Sequence, residues 1–267
     1  MKFVSFNING LRAHIHQLEF IIKTLQPDVI GLQETKIHDS MFPIELISKY
    51  NYHAYYNGQK RYYGVALLSR EKPFFICKDF LNEKNNFQKR IIQAKFHTPQ
   101  GILTVINSYF PNGENKKNIK YFQKKFFYQD FISYLKNIYK NNPLLLIMGD
   151  MNIAPQDLDI GIGKINKKYW IDSGKCSFLP EERIWIKSLF DVGLIDTYRY
   201  LNPMKNDLYS WFDYRFNGFE KNVGLRIDLL LSSISLIKFL QFSGIDYNIR
   251  KMSRPSDHAP VWAKFNL

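Results

Sequence analysis

Cysteine is scarce: the 267 residues contain only Cys77 and Cys176, far apart and with no CxxC pair. That spacing excludes a cysteine zinc site and points to a reducing compartment. No apolar run approaches membrane-spanning length, and Asn7, the first polar residue of interest, comes too early to leave room for a signal peptide. A cytoplasmic protein without a membrane partner is expected. Low-complexity stretches are missing, and glycine and proline are scattered singly, so no linker divides the chain. One catalytic domain over residues 1–267, working as a monomer, is the expectation. There is also no nucleotide-binding P-loop and no GxSxG. Acidic residues are in the minority, 24 against 37 basic, for a net charge of +13. Such an excess permits a polyanion partner. It does not identify one, because Lys outnumbers Arg 27 to 10 and residues with A- and T-rich codons abound.

Apolar material is plentiful, at 45% hydrophobic and 16% aromatic residues, which suffices for a layered core. Strand-like runs recur at Lys2–Asn7, Asp28–Glu34, Gly64–Ser69, Arg90–Phe96, Ile102–Tyr109, Leu144–Asp150, Arg226–Ser232 and Ala259–Phe265. Leu11, Ile15, Leu18, Ile22 and Leu25 form a helical stripe ended by Pro27, and Phe127, Phe131, Leu135 and Ile138 form another before Pro143. Strict alternation of strand and helix is absent. Two packed sheets covered by helices fit this pattern better than one doubly wound sheet.

The run PLLLIMGDMNIAP, Pro143 to Pro155, sharpens the question of function. Leu144–Met148 read as a strand buried on both faces, and Asp150 and Asn152 follow at its end. In an extended chain positions i and i+2 share a face, so both side chains could aim at one point. Taken alone, the plain alternative is a turn. Other strand ends carry the same kind of group: Asn7 and Asn9 in FNING, Glu34 in LQETK, Tyr109 in NSYFPNG, Asp228 in LRIDLLL, and Asp257 with His258 in RPSDHAPVW. Asp228 lies inside an apolar run, where a carboxylate without partners costs several kcal/mol. Glu34, Asp150, Asp257, Asn7 and Asn152 are hard oxygen donors suited to Mg²⁺ or Mn²⁺ rather than zinc. His258 alone would be a loop residue, and Tyr109 alone a packing residue. Their joint occurrence at strand ends reads as one site.

The stretches MKFVSFNINGLRA, QPDVIGLQETK, GDMNIAPQDLDIGIG, GKCSFLPEER, SWFDYR, GLRIDLLL and PSDHAPVWA, in that order, resemble the exonuclease III family of the endonuclease/exonuclease/phosphatase superfamily from end to end. The resemblance implies an α+β fold, a four-layer αββα sandwich of two packed mixed sheets flanked by helices. It implies a Mg²⁺-dependent nuclease (Mn²⁺ substituting) that incises double-stranded DNA 5′ to abasic sites and acts on 3′ ends as exonuclease and phosphatase. By position, Glu34 resembles the principal metal ligand, with Asn7 and Asp257 near the metal, and Asp150, Asn152 and His258 are carried as further members of the metal set. Asp150 resembles the group activating the attacking water, Asn152 a holder of phosphate and nucleophile, and Tyr109 a phenol on the scissile phosphate. His258, oriented by Asp228, resembles the electrostatic partner of the phosphate. Trp211, Phe212 and Leu225 are expected to wall a pocket for the flipped baseless sugar, with Arg90 a further substrate contact. Lys116, Lys117, Lys120, Lys124 and Lys125 stand equally as a solvated face or a phosphate-binding run. KRYYG at Lys60–Gly64 and the run Asn115–Lys125 depart from the better-known members and bear on DNA affinity. Hydrolases of inositol phosphates or sphingomyelin would want a membrane-binding surface. A non-enzymatic DNA-binding module would not need Glu34, Asp150 or His258 together.

Overall fold

A computed structural model of the chain describes residues 1–79 and 88–267. Its strands are β1 (Lys2–Asn7), β2 (Val29–Gln33), β3 (His53–Asn57), β4 (Val65–Ser69), β5 (Phe75–Lys78), β6 (Ile91–Thr98), β7 (Gly101–Tyr109), β8 (Leu144–Asp150), β9 (Leu194–Asp196), β10 (Trp211–Phe212), β11 (Gly224–Leu225), β12 (Asp228–Ser233), β13 (Leu240–Ile245) and β14 (Val261–Phe265). The helices are α1 (Ile15–Thr24), α2 (Ile44–Ser48), α3 (Ile119–Ile138), α4 (Lys164–Ser173), α5 (Pro180–Asp191), α6 (Thr197–Leu201), α7 (Ile234–Ile237) and α8 (Tyr247–Arg250). Among the described residues no helix is long and apolar enough to cross a membrane.

Two six-stranded sheets dominate, in the orders β13-β14-β1-β2-β4-β3 and β5-β6-β7-β8-β12-β9, and β10 with β11 forms a small ribbon. Period-two alternation explains the layering. Leu144, Leu146 and Met148 of β8 enter a core shared with Phe3, Val29, Val65 and Leu67 of the other sheet. Leu145 and Ile147 point the other way, against Phe127, Phe131 and Leu135 of α3 and Ile186 and Leu189 of α5. On the opposite flank Val4, Phe6, Ile30 and Leu32 meet Leu18, Ile21 and Ile22 of α1. Helix, sheet, sheet, helix is the expected four-layer sandwich. Leu11 of the predicted stripe is buried in the turn before α1 rather than in the helix.

Strand direction brings the polar ends together. β1 runs parallel to β2, and β7 parallel to β8, so the carboxyl ends Asn7, Gln33, Tyr109 and Asp150 face one edge of the sandwich. β14 is antiparallel to β1 and β12 antiparallel to β8, so their amino ends reach the same edge. Asp228 therefore pairs directly with Asp150, and the segment before Val261 delivers Asp257 and His258 there. The sheets are also joined behind this edge. Asn107 on β7 donates to the carbonyls of Leu32 and Ala66, both at 2.9 Å, and accepts from Gln33 at 2.6 Å. This approach needs Gly31, where a Cβ would stand 2.8 Å from Asn107 Oδ1.

Candidate active site

Unusual backbone marks the edge. Gly149 passes so close to β7 that a Cβ would sit 1.8 Å from the Ser108 carbonyl oxygen, so only glycine fits before Asp150. Glu34, at φ +50°, and Asn152, at φ +53°, occupy the left-handed region that side chains other than Gly, Asn and Asp avoid. Hydrogen bonds on both sides hold Glu34 there: Gly10 N donates to its carbonyl at 2.8 Å, and Thr35 N to the Gly64 carbonyl at 3.1 Å. Backbone strain fixed in this way concentrates at functional positions.

The two sheets meet through one side chain. Asn7 Nδ2 donates to Glu34 Oε1 and to Asp150 Oδ2, each at 2.9 Å, so one amide ties together a carboxylate from each sheet. Lys36 Nζ lies 2.9 Å from Glu34 Oε2 and also reaches Asn9, which donates to Asp257 Oδ1 at 2.8 Å. Burial opposes ionisation of Glu34, but Lys36, Asn7 and His258 outweigh it and hold the carboxyl below its ordinary value. Asp150 accepts from Asn152 N at 2.8 Å. Burial, Asp228 and Glu34 push its carboxyl up to about 8, against the opposing pull of His258 and Asn7.

His258 Nδ1 donates to Asp228 Oδ2 at 2.8 Å, and its Nε2 lies 3.9 Å from Asp150 Oδ2. Burial alone would lower the imidazole pKa, but Asp228, Asp257 and Asp150 prevail and raise it to about 10. The ring is therefore a cation at neutral pH. Burial and Glu34 raise the Tyr109 phenol well above its ordinary value, which leaves it a proton donor.

These groups border a cavity of about 280 Å³, with Glu34, Tyr109, Asp150, Asn152, Asp257 and His258 on its wall. The residues fit a divalent cation: Glu34, Asp150 and His258 offer ligand atoms all within 4.8 Å of one another, and the two carboxylates are hard donors. The other oxygen donors expected in the metal set carry hydrogen bonds of the same kind as Glu34 and Asp150 and keep further lone pairs. Asp257 spends one oxygen on Asn9 and the other on Trp211 Nε1, at 3.0 Å. Asn7 Oδ1 accepts from Asn9 N at 3.1 Å, and Asn152 Oδ1 accepts from Asn112 Nδ2 at 2.8 Å.

Three substrate expectations are corrected by burial. Trp211 lines the cavity, but Phe212, the next residue on the strand, faces oppositely into Phe219 and Tyr247. Leu225 is fully buried behind Trp211, whereas Ile227, which sequence reasoning passed over, reaches the cavity wall. Arg90 is 5% exposed and lies between the rings of Tyr63 and Tyr109, at 4.1 and 4.6 Å, while donating to the Tyr109 carbonyl. With its Nε committed to Gln88 and its Nη1 to the Tyr109 carbonyl, the guanidinium serves to position Tyr109. Lys36 and Asn112 were also missed as site residues; Lys36 follows Glu34 by two in LQETK, the only signal it gave.

The lysine run divides as well. Lys116 and Lys120 pair with Glu181 and Glu114 at the surface, but Lys124 is fully buried. Its Nζ binds Glu182 and the carbonyls of Asn112, at 3.1 Å, and Asn152, at 2.8 Å, so it braces the two segments that carry these amides. Lys124→Met keeps the stem and strands a buried Glu182, and a loss of about 3–5 kcal/mol is expected. Urea unfolding checks this; a loss under about 1 kcal/mol, the value of a surface pair, would contradict it.

Such an arrangement can hold a cation between two carboxylates, accept a proton at Asp150 and neutralise an anion with His258. The chain belongs to the endonuclease/exonuclease/phosphatase family, whose sequence model matches residues 4–258. Its relatives are nucleases. It is 55% identical to exodeoxyribonuclease III of Haemophilus influenzae, over 99% of this chain and 100% of that protein. A 3′ phosphatase from Neisseria, solved with a product DNA hairpin, superposes with a TM-score of 0.92 at 32% identity, over 100% of both chains. An AP endonuclease from Archaeoglobus fulgidus gives 0.91 at 28% identity, again over 100% of both.

Proposed function

We propose that this protein is a Mg²⁺-dependent DNA repair phosphodiesterase that incises double-stranded DNA 5′ to abasic sites and removes nucleotides and phosphate from 3′ ends. The observation carrying the reading is the pairing of Glu34 and Asp150 through Asn7, with the His258–Asp228 pair across the same cavity. Relatives named as exodeoxyribonuclease, AP endonuclease and 3′ phosphatase support the substrate class. The oxygen donors favour Mg²⁺, with Mn²⁺ able to substitute.

Glu34 and Asp150 are the groups that would hold the cation, and when bound it supplies Lewis acidity toward the phosphate and the leaving oxygen. Asp150 takes the proton of the attacking water. His258 and Tyr109, as fixed donors in a buried setting, stabilise charge growing on the phosphate oxygens. Asn152, held by Asn112 and donating to Phe110 O and Asp150, fixes the Asp150 carboxylate beside the phosphate and nucleophile. Trp211 and Ile227 give the cavity an apolar wall that suits a sugar lacking its base. The protein works as a single-domain monomer in the cytoplasm, a location in keeping with the unpaired Cys77 and Cys176.

One duplex carrying a single abasic site tests this reading. Cleavage is expected with Mg²⁺ or Mn²⁺ and none in excess chelator. Glu34→Gln keeps the shape but loses the charge, and should slow cleavage at least roughly tenfold, about 1.4 kcal/mol, with part of the rate regained at raised Mg²⁺. Full cleavage in chelator would overturn the metal assignment.

A further inference from the structure

Tyr214, Phe219, Arg250 and Lys251 line a second cavity of about 690 Å³. One short segment serves both cavities: Trp211 and Arg215 line the catalytic one, and Asp213 and Tyr214 line this one. The Tyr214 hydroxyl donates to the Pro255 carbonyl at 2.7 Å, two residues before Asp257. Arg250 is the notable group. It is 5% exposed, and its Nε is buried with no hydrogen-bond partner. Among the described residues the guanidinium rests on the rings of Phe212, Tyr214 and Phe219, at 5.7, 5.6 and 4.8 Å.

The protein treats its other buried arginines differently. Arg226 is held by Asp159 at 2.7 Å and Asp196 at 2.6 Å, and Arg90 by Gln88 and the Tyr109 carbonyl. Two acidic residues do line the Arg250 cavity, yet Asp213 is committed to Arg215, and Glu220 makes no ion pair with Arg250 among the described residues. Cation–π contact offsets only part of the desolvation of a buried charge. A guanidinium stacked on rings keeps its edge for a planar, two-pronged contact, the geometry that suits a phosphate. Lys251, exposed beside it, adds a second positive charge.

We propose that this cavity is a second phosphate subsite, in which Arg250 and Lys251 hold a backbone phosphate of the same DNA whose scissile bond occupies the catalytic cavity. The inference rests on the DNA reading above. A backbone phosphate is favoured over a free anion because the segment 211–215 supplies lining residues to both cavities.

Binding of a duplex carrying a stable abasic analogue, measured in chelator over a range of salt, provides the test. Each phosphate contact contributes about 0.9 to the slope of log affinity against log salt. Arg250→Gln should reduce the slope by about that amount, and Lys251→Gln should reduce it in the same direction. Lys238→Gln, exposed beyond α7 at the far end of β12, should leave it unchanged. An unaltered slope in folded Arg250→Gln overturns the subsite, as does a fall of equal size in Lys238→Gln. If Arg250→Gln does not fold, the Nε–H resonance of Arg250 in the unmodified protein decides: it should shift when the duplex is added and stay in place with inorganic phosphate alone at equal concentration. No shift with the duplex overturns the subsite, and an equal shift with inorganic phosphate assigns the cavity to free anions instead. Cleavage of abasic DNA with an unchanged slope would sink only this subsite, whereas an unmodified protein that neither binds nor cuts DNA would sink the functional reading itself.

Discussion

Asp150→Asn is expected to slow phosphodiester cleavage about 10²–10⁴-fold, the usual worth of a positioned proton acceptor. DNA binding should be unchanged or tighter, because a negative charge facing the phosphate is removed. The substitution keeps the side-chain shape, and its oxygen can still accept from the Asn152 amide. What it loses is the ability to take a proton from water. Burial, Asp228 and Glu34 raise the carboxyl, which makes it a stronger proton acceptor than an ordinary carboxylate. The same shift has a consequence for stability. A raised carboxyl pKa means that the fold favours the protonated form, an advantage fully present below the ordinary carboxylate range and lost as pH rises through about 8. Asparagine never ionises, so the variant should be at least as stable as the parent above that pH. Single-turnover cleavage and thermal melting on the same preparation check both statements. A rate loss below tenfold in a folded variant would remove Asp150 from the proton-accepting role.

Much of this site was legible in the sequence because buried strands are easy to see and polar groups at their ends are anomalous. Asp150 after LLLIMG and Asp228 before LLL could not be ordinary surface residues. The four layers were legible for the same reason, since β8 buries both of its faces. What escaped depends on direction rather than composition. Trp211 and Phe212 look alike in the sequence, but strand alternation sends one to the cavity and the other to an aromatic cluster. Arg90, beside a strand in a basic protein, resembled a DNA contact until Tyr63 and Tyr109 enclosed it. Lys124 was read as part of a charge run, although the stripe of Phe127, Phe131 and Leu135 projects back through it toward Tyr121. Strands such as β3 and β13 are only partly buried and carry no strong apolar alternation, so their sequences gave little sign of them. The convergence itself was implied by several polar strand ends, but its geometry required the parallel and antiparallel pairings that no local pattern encodes.

Asp228→Asn should move the whole pH profile of cleavage to lower pH. In the parent, Asp228 contributes most to holding the His258 imidazolium against the effect of burial, and the ring stays cationic up to about pH 10. Once the carboxylate is neutral, burial is opposed only by the more distant Asp257 and Asp150, so the pKa should fall to the ordinary imidazole value of about 6.5 or below. At pH 8 the cationic fraction would then be about one in thirty, and cleavage that needs the cation should fall roughly thirtyfold. The acid limb should move in the same direction, because Asp228 also helps raise the Asp150 carboxyl. Asparagine can still accept the Nδ1 hydrogen bond, so ring orientation is preserved and the change is one of charge. That separates this outcome from simple misplacement of His258, which would lower the rate equally at every pH. Rates measured from pH 5 to 10 at saturating metal, together with the His258 ring titration followed by NMR, provide the check. An alkaline limb that stays near pH 10 in a folded Asp228→Asn variant would mean that His258 owes its charge to another neighbour.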